Sequence, residues 1–242
     1  IARRQRQMCI RDRVESDIII FPELAVTGYP PEDLLLRESF IGKNFAVLEE
    51  IAAFSSLTSG IIGFVDRKND HNNQDNTKRT IANAAAIVQN GDVRGIYHKS
   101  FLPNYSVFDE ARYFSKGTQS DTLFWYDDIA IGIIICEDIW QHAGYVDEIR
   151  YKRDPVLALK DLKPDLLLNI SASPFEYQKA DIRLSVCAKA ARTLKCPVIM
   201  CCQVGANGQI IFDGYSLSVN KEGKLCQIGK GFIEDKMLVD LG

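Results

Sequence analysis

Three side chains in this sequence have types and settings that could do chemistry together: Glu23, Lys99 and Cys136. Glu23 follows the apolar run Ile18–Phe21 and Pro22, Lys99 follows His98 at the end of Val93–His98, and Cys136 ends the run that starts at Ile129. A free thiol of pKa about 8.5 is mostly protonated near neutrality, so it becomes a nucleophile only beside a base or a cation. A carboxylate buried behind a strand is pushed up toward the range where it works as a general base. An ammonium can hold the negative charge that develops on an attacked carbonyl oxygen. Alone, each residue has an ordinary reading: a small core hydrophobe, a surface or helix-start carboxylate, a solvated lysine. The conjunction of the three contexts points to an enzyme that cleaves carbon–nitrogen bonds.

These groups need strands to place them. Ile18–Phe21, Ile61–Val65, Ile129–Cys136 and Asp165–Ile170 are short apolar runs of the kind found in strands covered on both faces. Ile81–Gln89 and Val93–His98, joined at Asn90-Gly91, predict a hairpin. Helical spacing runs from Glu32 to Leu57 and from Asp181 to Leu194, and Gly144 to Leu159 is a further helical stretch. Thr27-Gly28-Tyr29-Pro30-Pro31 and the polar stretch Lys68 to Arg79 read as loops. Pro197–Gln203, Ile210–Phe212, Ser216–Val219 and Leu225–Ile228 predict short strands punctuated by glycines. This mixture predicts a layered α/β domain with mixed rather than purely parallel sheets. Cys136 falls where an apolar strand gives way to Glu137 and Asp138, at the mouth of a sheet, where loops form sites.

The bulk composition excludes several other classes. With 242 residues and 46% hydrophobic content the chain is long enough for one large core. A net charge of -3 argues against nucleic acid or an anionic membrane as the main partner. The strictly apolar stretches fall short of the ~20 residues that a membrane-spanning helix needs. Seven cysteines, without Cys-x-x-Cys spacing, fit reduced thiols in a cytoplasmic protein better than disulfides or a metal site. The six other than Cys136 read as small buried hydrophobes. Residues 1–13 are atypical, with five arginines against one aspartate; a basic leader and a truncated or foreign join both fit them.

The motifs resemble those of a known family. Phe21-Pro22-Glu23-Leu24, His98-Lys99-Ser100-Phe101-Leu102-Pro103 and Ile135-Cys136-Glu137-Asp138-Ile139-Trp140 are similar to the Glu–Lys–Cys segments of the nitrilase, or carbon–nitrogen hydrolase, superfamily. The longer strings around Glu23–Arg37, Leu102–Phe114, Asn169–Phe175, Gln203–Gly205 and Phe212–Ser216 resemble the glutaminase domain of glutamine-dependent NAD synthetases. The resemblance implies a nitrilase-like four-layer α-β-β-α sandwich over residues 14–242. It also implies roles. Cys136 attacks the side-chain amide of L-glutamine, Glu23 is the base, and Lys99 stabilises the oxyanion. Glu110 matches a second glutamate that positions the lysine and the hydrolytic water. Glu137 matches a position facing the substrate ammonium, Ser173 and Lys179 match positions near its carboxylate, and Tyr105 lies in the pocket loop. Arg183 is a further candidate for the carboxylate.

By the same resemblance, the glutaminase reaction needs no cofactor and no metal. ATP and Mg belong to a synthetase domain whose Ser-Gly-Gly-x-Asp-Ser loop this sequence does not contain. The implied partners are that synthetase domain or subunit and further copies of the chain in a homo-oligomer. The family opens with a central strand that residues 1–13 do not resemble. Two other readings stand beside the glutaminase: a free-standing amidase or carbamoylase of the superfamily, and an inactive assembly module.

Overall fold

Runs of isoleucine, leucine and valine become buried strands of two sheets because both of their faces are covered, except Ile18–Ile20, which is half-buried at the edge of its described sheet. The computed structural model describes residues 16–55, 58–68, 80–118, 122–144 and 153–241. The basic segment 1–13, most of the expected loop after Lys68, and part of the stretch after Gly144 lie outside the described residues. The chain divides into two units, one of residues through His98 with Leu102–Lys116, the other of Lys99–Phe101 with the chain from Gly117 onward.

In the first unit, β1 (Ile18–Ile20), β2 (Ser59–Lys68), β3 (Thr80–Gln89) and β4 (Asp92–His98) form one sheet in chain order. β1 runs parallel to β2, and the other pairs are antiparallel. The predicted hairpin forms, with Asn90 and Gly91 both at positive φ (53° and 82°), as a two-residue turn matched to strand twist requires. The helical stretch after Glu32 breaks in two: a 3-10 turn, Glu32–Leu36, then α1 (Glu38–Ala53), separated by the extended backbone of Arg37. Leu48, Ile51 and Ala52 of α1 share a core with Ile62, Phe64, Ala84, Ala86 and Val88 of the sheet. A short helix, α2 (Glu110–Tyr113), completes the unit.

The way β1 ends matters for the chemistry. Pro22 has no N–H to continue the ladder. The edge of β2 that faces β1 is satisfied further along by Phe21 N–H on Ile61 O (2.9 Å) and Val26 N–H on Gly63 O (3.0 Å). Further along, the Asn44 amide of α1 both donates to Val65 O and accepts from Val65 N–H. The turn that carries Glu23 therefore lies flat against β2. A Cβ on Gly63 would stand 2.3 Å from Leu24 N and 2.4 Å from Pro22 O, so only glycine fits there.

In the second unit, β5 (Leu123–Tyr126), β6 (Ile129–Ile135), β7 (Leu166–Ser171) and β8 (Val198–Cys202) precede a hairpin of β9 (Val204–Asn207) and β10 (Ile210–Asp213), then β11 (Leu217–Val219) and β12 (Leu225–Ile228). One sheet has the order β12-β11-β8-β7-β6-β5, parallel through β6, β7 and β8 and antiparallel toward both edges. The helices are α3 (Trp140–Ala143), α4 (Pro155–Lys160) and α5 (Lys179–Leu194). Asp154 caps α4 by accepting from the N–H groups of Val156 and Leu157, with Pro155 at the first helical position. α5 buries Arg183, Cys187, Ala190, Ala191 and Leu194, a stripe at helical spacing whose alanines allow close approach.

The expected mixed α/β organisation holds. β5 and β9 were not anticipated: β5 is a short aromatic edge strand turning at Asp127-Asp128, and β9 contains Gly205. Of the stretch expected to be helical from Gly144, the described helix begins only at Pro155. Cys226 corrects the reading of the thiols, because it lies exposed on edge strand β12. No helix among the described residues is long and apolar enough to cross a membrane.

Two stability predictions follow from this packing. Gly63→Ala should destabilise the protein by roughly 1–3 kcal/mol, because the clash is with backbone that cannot yield like a side-chain tip; urea unfolding measures it. Asp213→Asn should cost about 3–5 kcal/mol by leaving Arg183, its buried ion-pair partner, uncompensated. A loss below about 1 kcal/mol in the same assay would mean that the pair does not anchor α5.

Candidate active site

In the first unit the chain turns sharply after β1. Leu24 takes φ 45°, Ala25 N–H donates to Pro22 O, and the N–H groups of Thr27 and Gly28 donate to Leu24 O. This turn points Glu23 inward with no solvent exposure. Its Oε1 accepts a 2.7 Å hydrogen bond from Asn83 Nδ2 of β3. The same Nδ2 lies 3.5 Å from Glu110 Oε2, and the Tyr29 hydroxyl donates to Glu110 Oε1 at 2.7 Å. One amide thus stands between two buried carboxylates and supplies hydrogens where like charges would repel. Tyr105, half-buried on the following loop, packs edge-on against Phe108 with ring centres 5.5 Å apart.

In the second unit, β6 runs straight into a 3-10 turn over Cys136–Ile139. Cys136 sits at its start with φ 42°, a left-handed conformation that few side chains adopt and that is common where function holds strain. The thiol residue is buried, and Lys99 is wholly buried. Lysine is rarely so enclosed. The Lys99 carbonyl accepts from Gly117 N–H at 2.7 Å. Asp138, also without exposure, accepts from the N–H groups of Ser100 (3.0 Å) and Phe101 (2.8 Å) with Oδ1 and from Ile135 N–H (3.0 Å) with Oδ2.

The residues expected near a substrate have definite partners. Glu137 is buried in the same turn as Cys136. Ser173 is buried after β7, and its carbonyl accepts from Arg183 Nη2 at 3.0 Å. Lys179 pairs with the exposed Glu176 at 2.9 Å and lies over the Trp140 ring, 5.0 Å from its centre. Arg183 is committed elsewhere: its guanidinium grips both oxygens of Asp213, at 2.7 and 3.0 Å, and has no solvent exposure. It is a structural anchor and not a spare cation for a substrate.

The structure thus brings Glu23 and Glu110 around one amide, and Lys99 and Cys136 onto segments joined by one carboxylate. Asn83, Tyr29 and Asp138 were not singled out from sequence. A signal existed for Asn83, the single polar residue in Ile81–Val88. The buried Cys187, Cys196 and Cys202 and the half-buried Cys201 are set against ionisation. Burial pushes Cys196 and Cys201 up to about 12 and Cys202 up to about 11, and raises Cys187 further. Among the described residues, no group of three or more His, Cys, Asp or Glu could hold a metal ion.

Known proteins share this sequence and fold. The chain is 35% identical over 225 residues to the glutamine-dependent NAD(+) synthetase of Synechocystis sp., a match covering 93% of this chain and 40% of that protein. The Thermotoga maritima glutamine-dependent NAD(+) synthetase is also 35% identical, over 93% of this chain and 36% of its own length. The chain therefore spans about two-fifths of these relatives. Among solved structures, the glutamine-dependent NAD+ synthetase of Acinetobacter baumannii superposes with a TM-score of 0.84 at 33% identity, covering 97% of this chain and 40% of that one. A carbon-nitrogen hydrolase from Helicobacter pylori has a TM-score of 0.75 at 17% identity, covering 96% and 80% of the two chains, and shares the fold. Residues 7–235 match the family described as carbon-nitrogen hydrolase, and with nearly the whole chain inside that match, the protein belongs to the carbon–nitrogen hydrolase family.

Proposed function

We propose that this chain hydrolyses the side-chain amide of glutamine and supplies the ammonia to an NAD synthetase domain or subunit. The observation that carries the reading is the burial of all three reactive side chains: Glu23 and Lys99 at 0% exposure and Cys136 at 4%. The thiol of Cys136 attacks the amide carbon while its proton passes to Glu23. Lys99 and a backbone N–H beside Cys136 hold the oxygen of the tetrahedral intermediate. Glu23 returns the proton to the departing nitrogen, which leaves as ammonia. Water then opens the γ-glutamyl thioester, giving glutamate and the free thiol. Glu110, held by Tyr29 and close to Asn83, is the second carboxylate and helps place that water.

Recognition of glutamine follows from its two α-charges. Glu137 takes the ammonium. Lys179, with Ser173 and Tyr105 nearby in role, takes the carboxylate by exchanging its pairing with Glu176 for the substrate. The hydrolytic half-reaction uses no cofactor, while ATP and Mg serve the synthetase reaction. Assembly with further copies of the chain is part of the same proposal.

A glutamine-mimicking electrophile should label Cys136 and spare Cys187, Cys196, Cys201 and Cys202, whose burial keeps them protonated. Peptide mapping by mass spectrometry checks this, with exposed Cys226 as the internal control for non-specific alkylation. Labelling that glutamine does not compete away would refute the assignment. Glu23→Gln should cut ammonia release by about 10²-fold or more while leaving the melting curve in place. Assaying glutamine beside asparagine and simple aliphatic amides separates the glutaminase from an amidase: equal rates on all of them would favour the amidase.

A further inference from the structure

We infer that Asp138 is a positioning residue that sets Lys99 and Cys136 in register through the backbone. The inference deepens the glutaminase reading and rests on it for its catalytic consequence. The geometry itself stands apart from that reading. Oδ1 of Asp138 gathers the N–H groups of Ser100 and Phe101, the two residues immediately after Lys99. Oδ2 takes the N–H of Ile135, the residue immediately before Cys136. A single planar carboxylate therefore ties the segment that carries the ammonium to the turn that carries the thiol. The hydrogen bonds are 2.8–3.0 Å long and charge-assisted, and the carboxylate has no exposure.

The chemistry explains why a carboxylate is needed. The segment at Ser100–Phe101 is not paired within a strand, and Ile135 closes β6 where its ladder ends. Each would leave buried donors unsatisfied, which is costly. Only an ionised carboxylate is acceptor on both sides at once; an amide would turn a donor toward one of them. The left-handed φ of Cys136 adds to the demand, because a strained residue persists only where its neighbours over-determine it. Oxyanion stabilisation depends on placement of the cation to a fraction of an ångström, and an error of about 1 Å can cost on the order of 10²-fold in rate.

Asp138→Asn in the full chain tests the tether. It keeps the shape, removes the charge, and sets an NH₂ against either Ile135 N–H or the Ser100–Phe101 pair. The expected result is kcat for glutamine down by about 10²-fold with KM within about threefold. Amide hydrogen exchange should accelerate at Ile135, Ser100 or Phe101 while the β7 and β8 amides keep their protection. A purely structural role would instead lower the melting temperature and leave kcat per folded molecule unchanged, and that result overturns the inference. Asp138→Glu, which keeps the charge but moves both oxygens out by a methylene, should show the same kcat-weighted split. Loss of the fold in both variants would assign Asp138 to stability alone and also refute the inference. If the unmodified chain releases no ammonia from glutamine, the substrate reading fails, while local exchange and the alkylation rate of Cys136 still report on the tether.

Discussion

Burial of ionisable side chains is the constraint around which this molecule is arranged. Glu23, Lys99, Asp138 and Arg183 have no solvent exposure, and Glu110, Glu137 and Asp213 have very little. A charge taken from water needs a counter-charge or several hydrogen bonds, or the fold gives up several kcal/mol. The chain meets that demand in three ways. Arg183 and Asp213 neutralise one another through a two-point contact. Asp138 is surrounded by three backbone N–H groups. Glu23 and Glu110 share an asparagine amide, with a tyrosine hydroxyl on the outer carboxylate. Asp138 and Arg183 also bond backbone groups, the N–H groups of Ser100, Phe101 and Ile135 and the carbonyls of Ser173 and Gly214, so there solvation and positioning are one and the same.

The two sheets show how strand ends become sites. β1 stops after three residues because proline cannot continue the ladder, and β2 then pairs with a tight turn and with Asn44 instead of another strand. The turn can lie on β2 only because Gly63 has no side chain. β6 stops at Ile135, and the chain tightens at once into a 3-10 turn that starts from a strained cysteine. Cys136 therefore occupies the first position after a buried strand and Glu23 the third after a half-buried one, where rigidity is inherited from the sheet and the backbone is free to depart from it.

Much of this was legible in the sequence, and for local reasons. The hairpin at Asn90-Gly91, the apolar strands at Ile129 and Leu166, and the alanine-rich helix ending at Leu194 all write their periodicity or turn chemistry into neighbouring residues. The break in the first helix at Arg37 was not legible, because nothing in the spacing of Glu32–Ala53 marks it. β5 is too short for its four apolar residues to show a period, β9 carries little apolar signal around Gly205, and each gains its definition from the strand beside it. Arg183 looked like a cation available to a ligand, and only the fold revealed that Asp213, thirty residues on, already claims it.

The linear sequence determined the family and singled out Glu23, Lys99 and Cys136 as the residues whose types and settings could react. A Glu after Phe-Pro, a Lys before Ser-Phe-Leu-Pro and a Cys before Glu-Asp are local strings that can be read without knowing their distant partners. Tertiary structure alone decided what holds them. Asn83 reaches Glu23 across 60 positions, Tyr29 reaches Glu110 across 81, and Asp138 reaches Ser100 across 38. Hydrogen bonds of this range leave no periodic trace in the chain, because each is made only after folding brings its two ends within about 3 Å.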